Sequence, residues 1–195
     1  HTVLGLGVSP FNESELRAAG FEHTGVLPIT FDAQNYAHAN SPLSLDHSPF
    51  TLANAAPLLL FVGRIMPHKR QEDLIKLLYY YRRIEPNARV ALVGSPWLRS
   101  YERWLQDLAQ SLDLADQVIF AGHVSQAEMV NYFRQADLYV SMSEHEGFGK
   151  PLIESMYCGL PILAYSSAGV PGTLGDAGVL FHRKDFPLLA ELVDL

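Results

Sequence analysis

Cysteine is almost missing from this chain. Cys158 is the only one among 195 residues, so no disulfide can form within it. The fold must then rest on an apolar core, which suits a reducing cytoplasm, and Cys158 itself reads as a small buried residue. A basic surplus is missing too. With 14 Lys and Arg against 21 Asp and Glu, the net charge is −7, which argues against gripping nucleic acid or an anionic membrane through bulk positive charge. Any anion has to be met in a local pocket. No apolar run reaches the roughly 18 residues that cross a bilayer, and "HTVLGLGVSP" has neither a basic leader nor a cleavage pattern. There is no internal repeat and no low-complexity tract.

What is present is enough for a proper core, with 48% hydrophobic and 18% charged residues. Short continuous apolar runs at Pro57 to Arg64, Ala88 to Gly94, Gln117 to Gly122, Asp137 to Met142 and Leu160 to Tyr165 end near Gly, Ser or polar residues. Strands buried on both faces read this way. Helical periods lie between them: "QEDLIKLLYYYRRI", "SYERWLQDLAQSL", "QAEMVNYFRQA" and "PLIESMYCG". Ser125 and Glu128 form a capping box, Pro151 suits a first helical turn, and Gly159 suits a helix stop. Alternating strands and helices predict an α/β fold, a doubly wound parallel sheet of Rossmann-like type. Ligands then bind at the carboxyl ends of the strands, where the loops after Gly63, Gly94, Gly122 and Met142 converge.

The ends do not fit that one domain. Gly7 to Ile29 predicts a short helix closed by Gly20 and then a strand. A Pro/Asn/Ser-rich connection follows from about Thr30 to Pro57, longer than compact domains usually contain. At the other end "DFPLLAELVDL" predicts a helix begun at Asp185 with no stop signal. The expectation is a fragment of a longer chain, with 1–30 the end of a preceding domain, 31–56 a linker and 57–195 the Rossmann-like domain.

Two loops carry the chemistry. "VGRIMPHKR" puts Arg64 and Lys69 on the turn into a helix starting near Arg70. Two cations and free helix amides at a strand's carboxyl end suit a diphosphate, while the plain alternative is a solvated basic loop. In "SEHEGFGKPLIESM", Ser143 to Met156, three acids crowd a Gly-Phe-Gly turn, and seven residues separate Glu146 from Glu154. Crowded acids repel and so predict an external reason for their presence. Gly147 and Gly149 let backbone approach a ligand, and the amides from Phe148 to Leu152 face an anion. The alternative is an ordinary tight turn. Glu154 can accept two hydroxyl hydrogen bonds from a sugar or ribose; otherwise it is an acid favoured near a helix N-terminus. Glu144, His145 and Glu146 are poor metal ligands, because adjacent loop positions diverge and no second His or Cys pair exists. No metal site is expected.

Gly63-Arg64, Lys69, "EGFGKPLIE" and "AGVPGTLGDAGVLF" occur in the order and loop positions of the C-terminal domain of GT-B fold glycosyltransferases. The chain resembles glycosyltransferase family 4, the retaining group 1 transferases, over most of its length. The resemblance implies that Gly63, Arg64 and Lys69, with the Gly147, Phe148 and Gly149 amides, hold the diphosphate of a nucleotide-sugar donor. It places Glu146 by the donor sugar and reacting centre, making Glu146, Arg64 and Lys69 the catalytic set, and Glu154 on the ribose. Gly94, Ser95, His123 and Val124 are then candidates for the nucleobase. It implies no cofactor and no metal, and an acceptor glycan or lipid-linked glycan reached through the N-terminal domain. No nucleic acid is involved, the location is the cytoplasm, and membrane association is at most peripheral, at its inner face.

The chain departs from the family pattern in two places. Val170-Pro171-Gly172-Thr173 lacks a frequent acid, and Arg70 replaces a frequent glycine. A sugar-nucleotide epimerase, an α-glucan phosphorylase and a non-catalytic nucleotide-binding module remain open on the same fold. "VGRIMPHK" lacks the Gly-x-Gly-x-x-Gly of a dehydrogenase, and no motif supplies a phosphorylase's pyridoxal-phosphate lysine.

Overall fold

The computed structural model describes residues 4–37 and 56–194. The expected linker lies outside the described residues from 38 to 55. At the N-terminal end, β1 (Gly5–Gly7), α1 (Pro10–Ala18) and β2 (Thr24–Val26) form one unit, with β1 and β2 paired in parallel. Ser9 caps α1 by accepting from the Asn12 amide at 3.2 Å, and Gly20 follows the helix at φ 94° as its stop.

The expected unbroken connection is corrected next. Residues Gln34–Ala37 form a single helical turn, α2, because both oxygens of Asp32 accept bonds, from the Gln34 amide at 3.0 Å and the Asn35 amide group at 3.1 Å. Tyr36 on that turn is buried in the main domain.

The five apolar runs become β3 (Leu58–Val62), β4 (Arg89–Val93), β5 (Val118–Gly122), β6 (Leu138–Ser141) and β7 (Ile162–Tyr165). An edge strand too short to show periodicity, β8 (Val179–Phe181), completes a six-stranded parallel sheet of order β5-β4-β3-β6-β7-β8. Chain order reverses at β3, so the crevice between the ends of β3 and β6 is where such folds bind ligands. Side chains along β3 alternate between two cores. Leu59 and Phe61 join one face with α3 (Gln71–Tyr81), α4 (Arg99–Ser111) and α8 (Phe186–Val193). Leu58, Leu60 and Val62 join the other with α5 (Gln126–Gln135), α6 (Lys150–Cys158) and α7 (Val170–Leu174). Strands that bury both faces need the unbroken apolar runs seen in the sequence.

The Ser125–Glu128 capping box opens α5, and Gly159 closes α6 in the left-handed conformation. Cys158 is only partly buried, with its thiol pKa pushed up by that burial.

One buried acid sits beneath the loops. Asp73 accepts from Lys184 at 2.8 Å, Lys76 at 3.1 Å and Arg70 at 3.2 Å. Burial alone raises its pKa, but Lys184, Lys76 and Arg70 together hold it below the ordinary 3.8. A folded-state pKa below the unfolded one gives stability that is present above the unfolded value and lost as pH falls through the folded one. Asp73→Asn is therefore expected to cost about 2 kcal/mol at pH 7, less than for a fully buried pair because the cations reach solvent. In urea titrations the gap from wild type should shrink below the unfolded value of 3.8. An equal gap at neutral and acid pH would count against this assignment.

Candidate functional site

Three loops meet at the carboxyl edge of the sheet. The loop after β3 passes through a single 3-10 turn at Pro67–Lys69 before α3 begins at Gln71. Arg70, between the two, takes the left-handed conformation at φ 55°, which accounts for the glycine expected there. Its side chain bonds Glu72, Asp73 and Glu144, so the arginine does work a glycine cannot. The loop after β6 is tied on by the Glu144 amide donating to the His68 carbonyl at 2.8 Å. The loop after β7 is tied on by the Gly169 amide donating to Glu146 O, also at 2.8 Å, and by the Ser167 hydroxyl donating to Glu144 O at 2.5 Å.

Each crowded acid has its own cation, which corrects the expectation that they need an external reason. Glu144 pairs with Arg70 and Lys184, both at 3.3 Å. Glu146 pairs with Lys69 at 2.5 Å and also accepts from the Ser143 hydroxyl at 3.1 Å. Glu154 pairs with Lys150 at 3.2 Å. Among the described residues no group of three His, Cys, Asp or Glu converges as metal ligands would.

The predicted residues are brought together unequally. Lys69 and Glu146, expected on different parts of a ligand, touch each other directly. Arg64 is exposed and has no acid partner among the described residues; its guanidinium lies 5.2 Å from the centre of the Trp97 ring. The Gly63 amide donates to Val93 O and the Gly94 amide to Gly122 O, both at 2.9 Å, so both glycines close the ends of adjacent strands. Gly149 opens α6 at φ 80°, but Pro151 has no N–H and the Leu152 amide donates to the Gly149 carbonyl at 2.9 Å, which removes those two from the expected row of donors between Phe148 and Leu152. At Gly147 the close approach is to the protein itself, since a Cβ would meet Asn12 Oδ1 of α1 at 2.5 Å. Phe148 is partly exposed, His123 is exposed, and Val124 packs on the core under α5.

Three neighbours were not legible in the sequence. The Ser9 hydroxyl donates to Gly147 O at 2.5 Å, and Glu15 meets His145 Nε2 at 3.0 Å, so α1 is held against the glycine loop. Tyr36 donates to Glu154 Oε1 at 2.5 Å. Trp97, on the loop after β4, reaches Arg64. Close by, the His68 imidazole is held below its ordinary range, by burial first and by Lys69 and His145 second.

The arrangement can hold a diphosphate. A guanidinium with no acid partner among the described residues, a lysine and the start of a helix lie on the loops after β3 and β6, with carboxylates alongside that can accept from hydroxyls.

The chain resembles known proteins in sequence and in fold. Residues 46–195 match the family model for "Glycosyl transferases group 1". A D-inositol 3-phosphate glycosyltransferase of Thermobifida fusca is 38% identical over 136 residues, 66% of this chain and 31% of the relative. A GDP-mannose-dependent monoacylated alpha-(1-6)-phosphatidylinositol monomannoside mannosyltransferase of Corynebacterium glutamicum is 29% identical over 182 residues, 89% of this chain and 46% of that protein. The chain thus spans less than half of either relative. Among solved structures, Anabaena HepE in complex with UDP and glucose superposes with a TM-score of 0.85 at 24% identity, covering 99% of this chain and 53% of that one. Sucrose-phosphate synthase from Thermosynechococcus elongatus gives 0.80 at 26% identity, covering 100% and 49%.

Proposed function

The chain belongs to the group 1 glycosyl transferases, and from that membership we propose that it is the donor-binding, C-terminal half of a retaining family 4 enzyme. Residues 57–195 are its Rossmann-like domain, 31–56 the linker, and 1–30 the end of the N-terminal domain. The enzyme moves a sugar from a nucleotide-sugar donor to a glycan or lipid-linked glycan, in the cytoplasm or at the inner face of its membrane. One relative named for GDP-mannose and a solved neighbour holding UDP support a nucleotide-sugar donor.

The observation that carries the reading is Arg64. It is a cation without an acid partner among the described residues, on the same loop as Lys69 and at the switch point of the sheet. Arg64, Lys69 and the Gly147 to Gly149 amides hold the diphosphate, Glu154 takes the ribose hydroxyls, and Glu146 stands by the donor sugar. The bond from the anomeric carbon to the phosphate oxygen breaks, and the acceptor oxygen takes its place on the same face. The acceptor's hydroxyl proton passes to the departing phosphate oxygen, so charge and atoms balance. Negative charge grows on the departing diphosphate, and pre-placed donors there lower the barrier. The acceptor arrives across a cleft from the N-terminal half. Nothing in the geometry favours an epimerase or a non-catalytic module.

Calorimetry with UDP, GDP and ADP in the presence of EDTA tests the site. At least one is expected to bind without metal, and at 100 times its Kd to raise stability by about 2.7 kcal/mol. Failure of all three to bind rejects the donor site, and binding lost on chelation rejects its metal independence.

A further inference from the structure

Tyr36 lies in "DAQNYAHAN", where composition shows only a polar connection. Its ring is clamped, stacking on Phe31 at 5.1 Å and meeting the edge of Tyr157 at 5.9 Å, and its carbonyl accepts from Arg134 at 3.0 Å. Only the hydroxyl is left to act, and it donates to Glu154 Oε1 at 2.5 Å. Lys150 reaches the same oxygen at 3.2 Å, but from a half-exposed side chain. Glu154 is 2% exposed, and a carboxylate so buried needs a donor to stay charged and in one orientation. Among the described residues, Oε2 takes no bond from the protein. Burial and Glu154 both push the phenol pKa up, so the proton stays on Tyr36.

We propose that Tyr36 is a positioning residue for nucleotide recognition: its hydroxyl fixes the Glu154 carboxylate through Oε1, so that Oε2 is presented to the ribose hydroxyls. This rests on the assignment of Glu154 to the ribose. It also makes the turn that leads out of the N-terminal segment part of the nucleotide site.

The test compares the nucleoside diphosphate that binds best with its 2′,3′-dideoxy form, on wild type, Tyr36→Phe and Glu154→Gln. Tyr36→Phe keeps the clamped ring and removes one charge-assisted hydrogen bond. It is expected to weaken binding of the ribose form about tenfold, with the dideoxy form unaffected, which also shows that the variant is folded. Glu154→Gln should likewise erode the ribose preference. Full ribose preference in Tyr36→Phe beside its loss in Glu154→Gln overturns the role of Tyr36 alone. So does tighter binding by Tyr36→Phe, which would mean that the phenol competes with ribose. Equal binding of both forms by wild type instead removes the Glu154 assignment, and this inference with it.

Discussion

Alanine at position 94 is expected to destabilise the protein by about 4 kcal/mol, the sum of roughly 1–3 for overpacking and roughly 1–3 for a backbone region closed to side chains. Gly94 ends β4 at φ 143°, and a Cβ there would run into the carbonyl of Gly63 at the end of β3. The obstacle is backbone in the middle of a parallel sheet, held by the Gly63 amide bond to Val93 and the Gly94 amide bond to Gly122. It cannot swing aside as a side-chain tip would. Gly122 makes the contrast, because its φ of 65° leaves nothing within 4 Å of an added Cβ. Gly122→Ala should cost only about 1–2 kcal/mol, the left-handed penalty alone. Urea midpoints for the two variants decide the matter. Equal losses would mean that the Gly63–Gly94 approach does not constrain the fold.

Lys69→Met in the complete enzyme should lower kcat by about 10²–10³, the usual cost of one charge-stabilising donor. The structure makes the loss double-edged. Lys69 is bonded to Glu146 at 2.5 Å with both side chains largely covered, so methionine removes a cation and also leaves a carboxylate uncompensated where phosphate must sit. Glu146→Gln separates the two effects. It frees Lys69 for the diphosphate, so free nucleotide should bind at least as tightly as to wild type, while kcat falls because the group beside the donor sugar is gone. Nucleotide Kd and kcat on both variants form the check. A Lys69→Met enzyme within twofold of wild type in kcat would end the assignment of Lys69, and a Glu146→Gln protein with weakened nucleotide binding would move Glu146 onto the nucleotide.

The elements were legible because their signals are short-range. Continuous apolar runs marked β3 to β7, since a strand covered by helices on both faces has no polar side to show. The capping box at Ser125 and Glu128 and the stop at Gly159 act within one helical turn, and both appear where the sequence puts them. Loop placement was legible for the same reason: Arg64 and Lys69 share a turn, and the glycines of Gly147 to Gly149 precede a helix. β8 was not, because three residues on an edge carry too little pattern, and α2 was not, because Asp32 holds a single turn by side-chain bonds that composition does not register.

Partner choice belongs to the tertiary structure. Lys69 and Glu146 are 77 residues apart, and Tyr36 and Glu154 are 118 apart. Periodicity says nothing at such separations. The parallel order sets the β3 and β6 loops side by side, which brings Lys69 to Glu146 and Arg70 to Glu144, whereas Lys150 and Glu154 meet within one turn of α6. Sequence by itself determined the α/β class and the strands, since these follow from local backbone preference and the spacing of apolar side chains. Only the packed sheet decided that Glu144 and Glu146 are paired with cations from other loops, that a Cβ at Gly94 would meet the Gly63 carbonyl, and that Tyr36 reaches Glu154. Each of those depends on atoms that chain-distant segments bring within a few ångströms.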